Sequence, residues 1–237
     1  MRSPGRIARA CLSRLASLAA DPACPVCRAS SAAKPLCEWC SLRLYANEAP
    51  HWSGSGAAVL DGIPGDGVAI ESAFVHSGAA REMVHLLKFG GRRSLGRVAA
   101  GLILASSGER PGRGDLVVPV PLGSDRLRRR GYNQSRLVAA PLARMCGALH
   151  VDALRRDDRP PQVGLASEER RANLKGSFRA VRGRVPPGAT CWIVDDVATT
   201  GATVSEAAEA LLDAGAGAVR AITLTYRKLR PGCIIER

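Results

Sequence analysis

The sequence predicts an α/β domain, a parallel sheet flanked by helices, with a small zinc-ribbon-like element at its N-terminal end. Three observations carry this expectation. Apolar strand patterns alternate with helical ones over most of the 237 residues, and two Cys-x-x-Cys pairs lie close together near the start. One apolar strand also runs into two aspartates, a Thr-Gly loop and a helix.

Taken in order, Arg2, Arg6, Arg9 and Arg14 alternate with Ile7, Cys11, Leu15 and Leu18 at helical spacing, a short basic amphipathic helix. No continuous apolar block marks a secretory signal and no stretch is long enough to span a bilayer. The Cys cluster follows, and residues 1–45 form the first unit. Residues 46–67, rich in Gly, Ser, Pro and Ala, read as a linker, and residues 68–230 as the main domain. Within it, Val68 to Phe74 alternate as a strand. Helices are expected over Ala79–Lys88 and Leu95–Ser106, then a buried strand from Asp115 into Pro119-Val120-Pro121. Asn133 starts a further helix containing Pro141, a kink position. Residues 155–184 are charged and broken by Pro and Gly, a long loop or hood. Thr190–Val194 is a buried strand, Val204–Ala214 a helix and Ala218–Tyr226 a strand. Strand, helix, strand in that order implies parallel pairing.

The formal charge is +13, from 34 basic and 21 acidic residues, and thirty of the 34 are Arg. That ratio, with abundant Ala and Gly, reflects coding bias as much as function. Its placement is more telling: residues 126–184 hold fifteen basic and five acidic side chains. Such local positive charge attracts phosphates, on a small ligand or on a nucleic acid. Eight cysteines without an export signal fit a reducing cytoplasm. Cys24-x-x-Cys27 and Cys37-x-x-Cys40, nine residues apart, can supply four thiolates to one structural Zn²⁺. A thioredoxin-like redox pair needs only one such knuckle, so the second favours the metal.

The segment from Ile193 to Thr203 has the strongest chemical logic. Asp195 and Asp196 close an apolar strand. Val197, Ala198, Thr199, Thr200, Gly201 and Ala202 form a small-residue loop, and Thr203-x-x-Glu206 reads as a capping box. A helix N-terminus suits a phosphate, and Gly201 permits close approach. The aspartates would repel that phosphate and suit a diol or Mg²⁺ instead. A sugar phosphate matches both halves. No P-loop, Gly-x-Gly-x-x-Gly or His-Glu-x-x-His occurs, and His51, His76, His85 and His150 are isolated in sequence.

These residues resemble the motif of type I phosphoribosyltransferases for 5-phosphoribosyl-1-pyrophosphate (PRPP). Its pattern is an apolar strand, an acidic pair, two variable residues and Thr-Thr-Gly-x-Thr. Leu87-Lys88-Phe89-Gly90, Val118 to Leu122 with Arg130-Gly131-Tyr132-Asn133-Gln134, and Gln162 through Arg170, Asn173, Gly176 and Phe178 narrow the resemblance to the ComF family. The four-Cys element is similar to that family too. The chain departs from the pattern at Gly123, where a His is common, and at Arg92 and Arg93, where an acid is common. The resemblance implies that Asp195 and Asp196 contact the ribose hydroxyls and residues 198–203 the 5′-phosphate. It implies pyrophosphate contacts from the loop after Val118 and a basic hood from 162–178. For Lys88 and Arg130 two readings stand, a ligand contact and a solvated surface charge.

Two functions follow. One is Mg²⁺-dependent transfer of phosphoribosyl from PRPP to an unknown nitrogen acceptor. The other, through the implied link to competence and DNA uptake, is a non-catalytic module binding single-stranded DNA or a helicase partner. Aromatic residues at 4% argue against base stacking as the grip on a strand.

Overall fold

The computed structural model describes residues 23–31, 36–45, 58–60, 68–157, 176–199 and 201–227. Among them the helices are α1 (Glu38–Tyr45), α2 (Gly78–Phe89), α3 (Leu95–Ser106), α4 (Ser124–Arg130), α5 (Gln134–Cys146) and α6 (Ala202–Asp213). The strands are β1 (Ala58–Leu60), β2 (Val68–Val75), β3 (Leu116–Pro119), β4 (Leu149–His150), β5 (Leu154–Arg156), β6 (Phe178–Ala180), β7 (Thr190–Ala198) and β8 (Ala218–Tyr226). The amphipathic segment 1–20 and the centre of the hood, 158–175, lie outside the described residues.

Six strands form one sheet in the order β1-β2-β8-β7-β3-β4. Every pairing is parallel except that of β1, which lies antiparallel to β2 and comes from the stretch read as a linker. β7 and β8 pair over their full length, from Thr190 opposite Ala218 to Ala198 opposite Tyr226. Their continuous apolar runs fit strands buried on both faces. Trp192 and Val194 point into one core with α2, α3, α5 and the Cys knuckles, while Cys191 and Ile193 point into the other with α6 and the β5–β6 pair. The fold is the expected parallel sheet flanked by helices.

Four local features differ from the sequence reading. β7 continues through the aspartates to Ala198, because β8 keeps pairing with it past Asp195. The run Ser124–Arg130 is a helix rather than loop, closed by Gly131 at φ 74°. The ends of the hood are ordered as β5 and β6, paired antiparallel from Leu154 opposite Ala180. Finally, the capping box does not form. Gly201 is the N-cap of α6 at φ 76°, so Thr203 lies inside the helix, past the cap position, and Glu206 accepts a hydrogen bond from the Gly176 N–H at 2.7 Å. That bond ties the end of the hood to α6.

Candidate functional site

The carboxyl ends of β2, β3, β7 and β8 open into a cavity of about 1000 Å³. Such a place is where parallel sheets hold ligands. Asp195 and Asp196 lie at its floor, reached by β7, and Thr199 and Thr203 follow along the loop and first turn of α6. Thr200 lies outside the described residues. Around the carboxylates stand seven cations: Arg81, Lys88, Arg126, Arg129, Arg130, Arg156 and Arg227. Among the described residues, Asp195 and Asp196 are the only acids lining the cavity. An enclosure so biased attracts a polyanion and repels a cationic ligand.

The aspartates are held from two directions. Asn133 caps α5 by accepting from the Ser135 N–H at 3.0 Å, and its amide donates to Val120 O at 2.9 Å, fixing the helix start against the proline loop. That places buried Ser135 and Gln134 over β7. The Ser135 hydroxyl donates to Asp195 Oδ1 at 2.9 Å, and Gln134 Nε2 donates to Asp196 Oδ1 at 3.3 Å. Arg130 in turn donates to Gln134 Oε1. From α2, Lys88 Nζ sits 2.6 Å from Asp196 Oδ2, with the Asp196 side chain only 4% exposed. Lys88 and Arg130 are therefore tied into the floor of the cavity rather than displayed as solvated charges. Burial and the neighbouring Asp196 carboxylate push the Asp195 carboxyl up to about 7.

Sequence reasoning missed His76. It follows the last residue of β2, and its Nδ1 lies 2.9 Å from the Thr225 hydroxyl on β8. Thr225 gives its single proton to the Asp196 carbonyl at 3.2 Å, so His76 Nδ1 must be the donor and Nε2 the acceptor. Burial, aided by Arg227 and Lys88, depresses the His76 pKa and favours this neutral imidazole. A clue was available: His76 closes a strand of a parallel sheet, on the edge where ligands bind. Ser135 and Arg227 gave no comparable signal, since only the fold brings Ser135 to Asp195 and Arg227 to the cavity.

Residues 134–232 match the phosphoribosyl transferase domain family. The chain is 33% identical over 211 residues to the DNA utilization protein YhgH of Escherichia coli K12, an alignment covering 83% of this chain and 87% of that relative. The chain belongs to the ComF family. It is also 39% identical over 149 residues to the YhgH protein of Salmonella typhimurium, covering 58% of this chain and 63% of the relative. To Competence protein F of Haemophilus influenzae it is 36% identical over 104 residues, 43% of this chain and 45% of the relative. These last two alignments take in less than two thirds of the proteins they match.

In this ComF-family chain the four cysteines converge as their spacing predicts. The sulfurs of Cys24, Cys27, Cys37 and Cys40 all lie within 4.8 Å of one another, and Cys27 Sγ is 3.4 Å from Cys37 Sγ. Tetrahedral zinc with Zn–S bonds of about 2.3 Å requires sulfurs about 3.8 Å apart, so the set could hold such an ion. Burial acts to raise the Cys24 thiol pKa, but backbone N–H groups of Cys37, Cys27 and Val26 outweigh it and bring it down to about 7. The departures at Arg92 and Arg93 also find a role. The Arg92 guanidinium donates to Pro25 O at 2.5 Å and Val26 O at 2.6 Å. Arg93 covers the Tyr132 ring at 5.1 Å, while the Tyr132 hydroxyl donates to Leu87 O at 2.8 Å. Arg92 thus joins the first knuckle to the loop between α2 and α3. Among the described residues no helix is long and apolar enough to cross a membrane.

Proposed function

We propose that this chain binds PRPP in the cavity at Asp195 and Asp196 and, with Mg²⁺, transfers its phosphoribosyl group to a nitrogen acceptor, releasing pyrophosphate. One observation carries the reading: a paired carboxylate runs within a few residues into a helix N-terminus, inside a cavity whose remaining charges are cationic. Asp195 and Asp196 accept hydrogen bonds from the ribose hydroxyls. Ala198, Thr199, Thr200, Gly201, Ala202 and Thr203, with Val197 leading in, wrap the 5′-phosphate at the positive end of α6. Arg126, Arg129 and Arg130 face the pyrophosphate. The two carboxylates supply the hard oxygen donors that Mg²⁺ prefers, and the ion, when bound, neutralises charge on the leaving pyrophosphate. The acceptor nitrogen displaces pyrophosphate at C1′, and the electron pair of the broken C–O bond leaves with it. The cations stabilise that developing charge. We assign Zn²⁺ to Cys24, Cys27, Cys37 and Cys40 as a structural ion with no open position for substrate.

Calorimetry of PRPP with Mg²⁺ tests the donor site. Saturable binding is expected, weakened at least about tenfold in an Asp195→Asn/Asp196→Asn variant, because each charge-assisted hydrogen bond contributes about 1.5–3 kcal/mol. Binding that survives the double substitution unchanged would sink the reading. A pyrophosphate-release assay over nucleobases and amines then reports turnover and acceptor together. The names of the relatives, with seven cations around the cavity, favour a second reading, binding of single-stranded DNA. It predicts an affinity that falls steeply with salt, and salt-insensitive binding counts against it.

A further inference from the structure

We infer that His76 is the base of the transfer: its Nε2 takes the proton from the attacking nitrogen, so the acceptor reacts through an N–H group. The inference rests on the proposed PRPP site for the donor. Among the described residues, four side chains lining the cavity can act as bases: Asp195, Asp196, His76 and His85. The two carboxylates are engaged at the floor, Asp195 by Ser135 and Asp196 by Gln134 and Lys88. His85 is exposed on α2, its ring centroid 5.1 Å from that of Phe89.

His76 is held differently. Thr225, fully buried on β8, accepts its Nδ1–H at 2.9 Å and gives its own proton to Asp196 O at 3.2 Å. One ring nitrogen is thereby fixed as the donor and the other keeps its lone pair. Among the described residues nothing pairs with Nε2, and it is not sealed from solvent, so it opens to the cavity that His76 lines. Burial first, then Arg227, Lys88 and Arg81, hold the imidazole neutral against the pull of Asp196. A neutral imidazole locked in one tautomer is the form that a base requires.

Its place in the fold is the side from which an acceptor must enter. Inverting displacement at an anomeric carbon brings the nucleophile to the face opposite the leaving group. In the sheet, β8 and β2 lie to one side of β7, and β3 lies to the other. β3 leads into α4, whose arginines are assigned to the pyrophosphate, whereas His76 follows β2. The helix α2 repeats this separation, since its twelve residues span about 18 Å. His76 stands just before its start, and the Arg130 guanidinium carbon lies 5.0 Å from the Phe89 ring at its end. The nitrogen lone pair forms the bond to C1′, and the C1′–O bond breaks with its electrons leaving on pyrophosphate. The N–H proton moves to Nε2, which later releases it to water.

The test uses the full-length protein with PRPP and Mg²⁺, and reads pyrophosphate release over nucleobases and amines. His76→Asn keeps an N–H for Thr225 without the base, and His76→Gln is a second variant with different packing. Both should lower kcat by about 100-fold or more, the effect of a positioned base, with PRPP binding within about twofold of the parent. Fluorinated analogues of an active acceptor, whose N–H is more acidic, should suffer a smaller deficit because they shed the proton with less help. His85→Gln should turn over like the parent. The assignment is overturned if the His76 variants keep the parental kcat, if both lose PRPP binding, or if their deficit is the same for every analogue. A loss that falls on His85→Gln instead also overturns it, as does turnover confined to nitrogens without a proton, such as those of pyridines. If PRPP binds and no compound releases pyrophosphate, the donor site stands and the base falls. If PRPP does not bind the parent, the donor reading itself fails and takes the base with it.

Discussion

Asp195 concentrates the electrostatics of the site in one carboxyl group. Its pKa in the folded protein, about 7, lies above the ordinary carboxylate value because burial and Asp196 both oppose its ionisation. A group raised on folding contributes stability that is fully present below its unfolded pKa and is lost as pH rises through the folded value. The parent should therefore lose melting temperature between about pH 4 and pH 8 relative to an Asp195→Asn variant, which cannot ionise there. His76 shifts the opposite way and its contribution is lost on acidification, so the comparison between the two proteins matters more than either slope alone. Parallel melting curves across that range would show that Asp195 ionises without penalty. The pair Asp195-Asp196 was legible in the sequence because its partners in the loop are neighbours in the chain. His76, Ser135 and Arg227 were not, since Ser135 reaches Asp195 from α5 while His76 and Arg227 come to the same cavity from the ends of β2 and β8, and only the packing of these elements brings them there.

At the level of elements, the site depends on how closely α5 lies against α3. Gly96, buried near the start of α3, makes this possible: a Cβ there would fall 2.3 Å from Leu137 O and 2.7 Å from its carbonyl carbon. Backbone cannot yield as a side-chain end can, so Gly96→Ala must push α5 away. Overpacking of this kind costs about 1–3 kcal/mol. Because Ser135 and Gln134 lie two and three residues from Leu137, the same shift should loosen their hold on the aspartates and weaken PRPP binding along with stability. Denaturant unfolding and calorimetry on one preparation check both, and a variant as stable as the parent would mean the helices are not locked together. Helix and strand periods located α2, α3, α5, α6, β2, β3 and β8 closely, and β7 as far as Val194, because each buries a regular apolar pattern. The short elements escaped notice. α4 has no buried residue to mark its period, and β5 and β6 are three residues each, too short for alternation to show.

Across the whole molecule, the Cys element is part of the main core rather than an appendage. Cys24, Val26, Leu36, Cys37, Cys40 and Leu44 share one buried cluster with Phe74, Met83 and Leu87 of the sheet and α2. Arg92 adds two hydrogen bonds to the first knuckle, and its loop begins directly after the α2 end that carries Lys88 and Phe89. An ion shared by four thiols packed this closely would order the element, since metal-binding energy in such elements is folding energy. The purified protein should hold about one zinc per chain. Stripping it with a strong chelator under reducing conditions should lower the melting temperature of the domain as a single transition, and should weaken PRPP binding because the wall bearing Lys88 is anchored through Arg92. An Arg92→Ala variant separates the two effects: it should keep its zinc and lose part of the coupling, melting between the metal-bound parent and the stripped protein. If the stripped protein melts and binds PRPP like the parent, the element is neither a stabiliser of the domain nor a support for the cavity. A separate low-temperature transition for the element, with the main one unmoved, would likewise show that the shared core does not transmit its order.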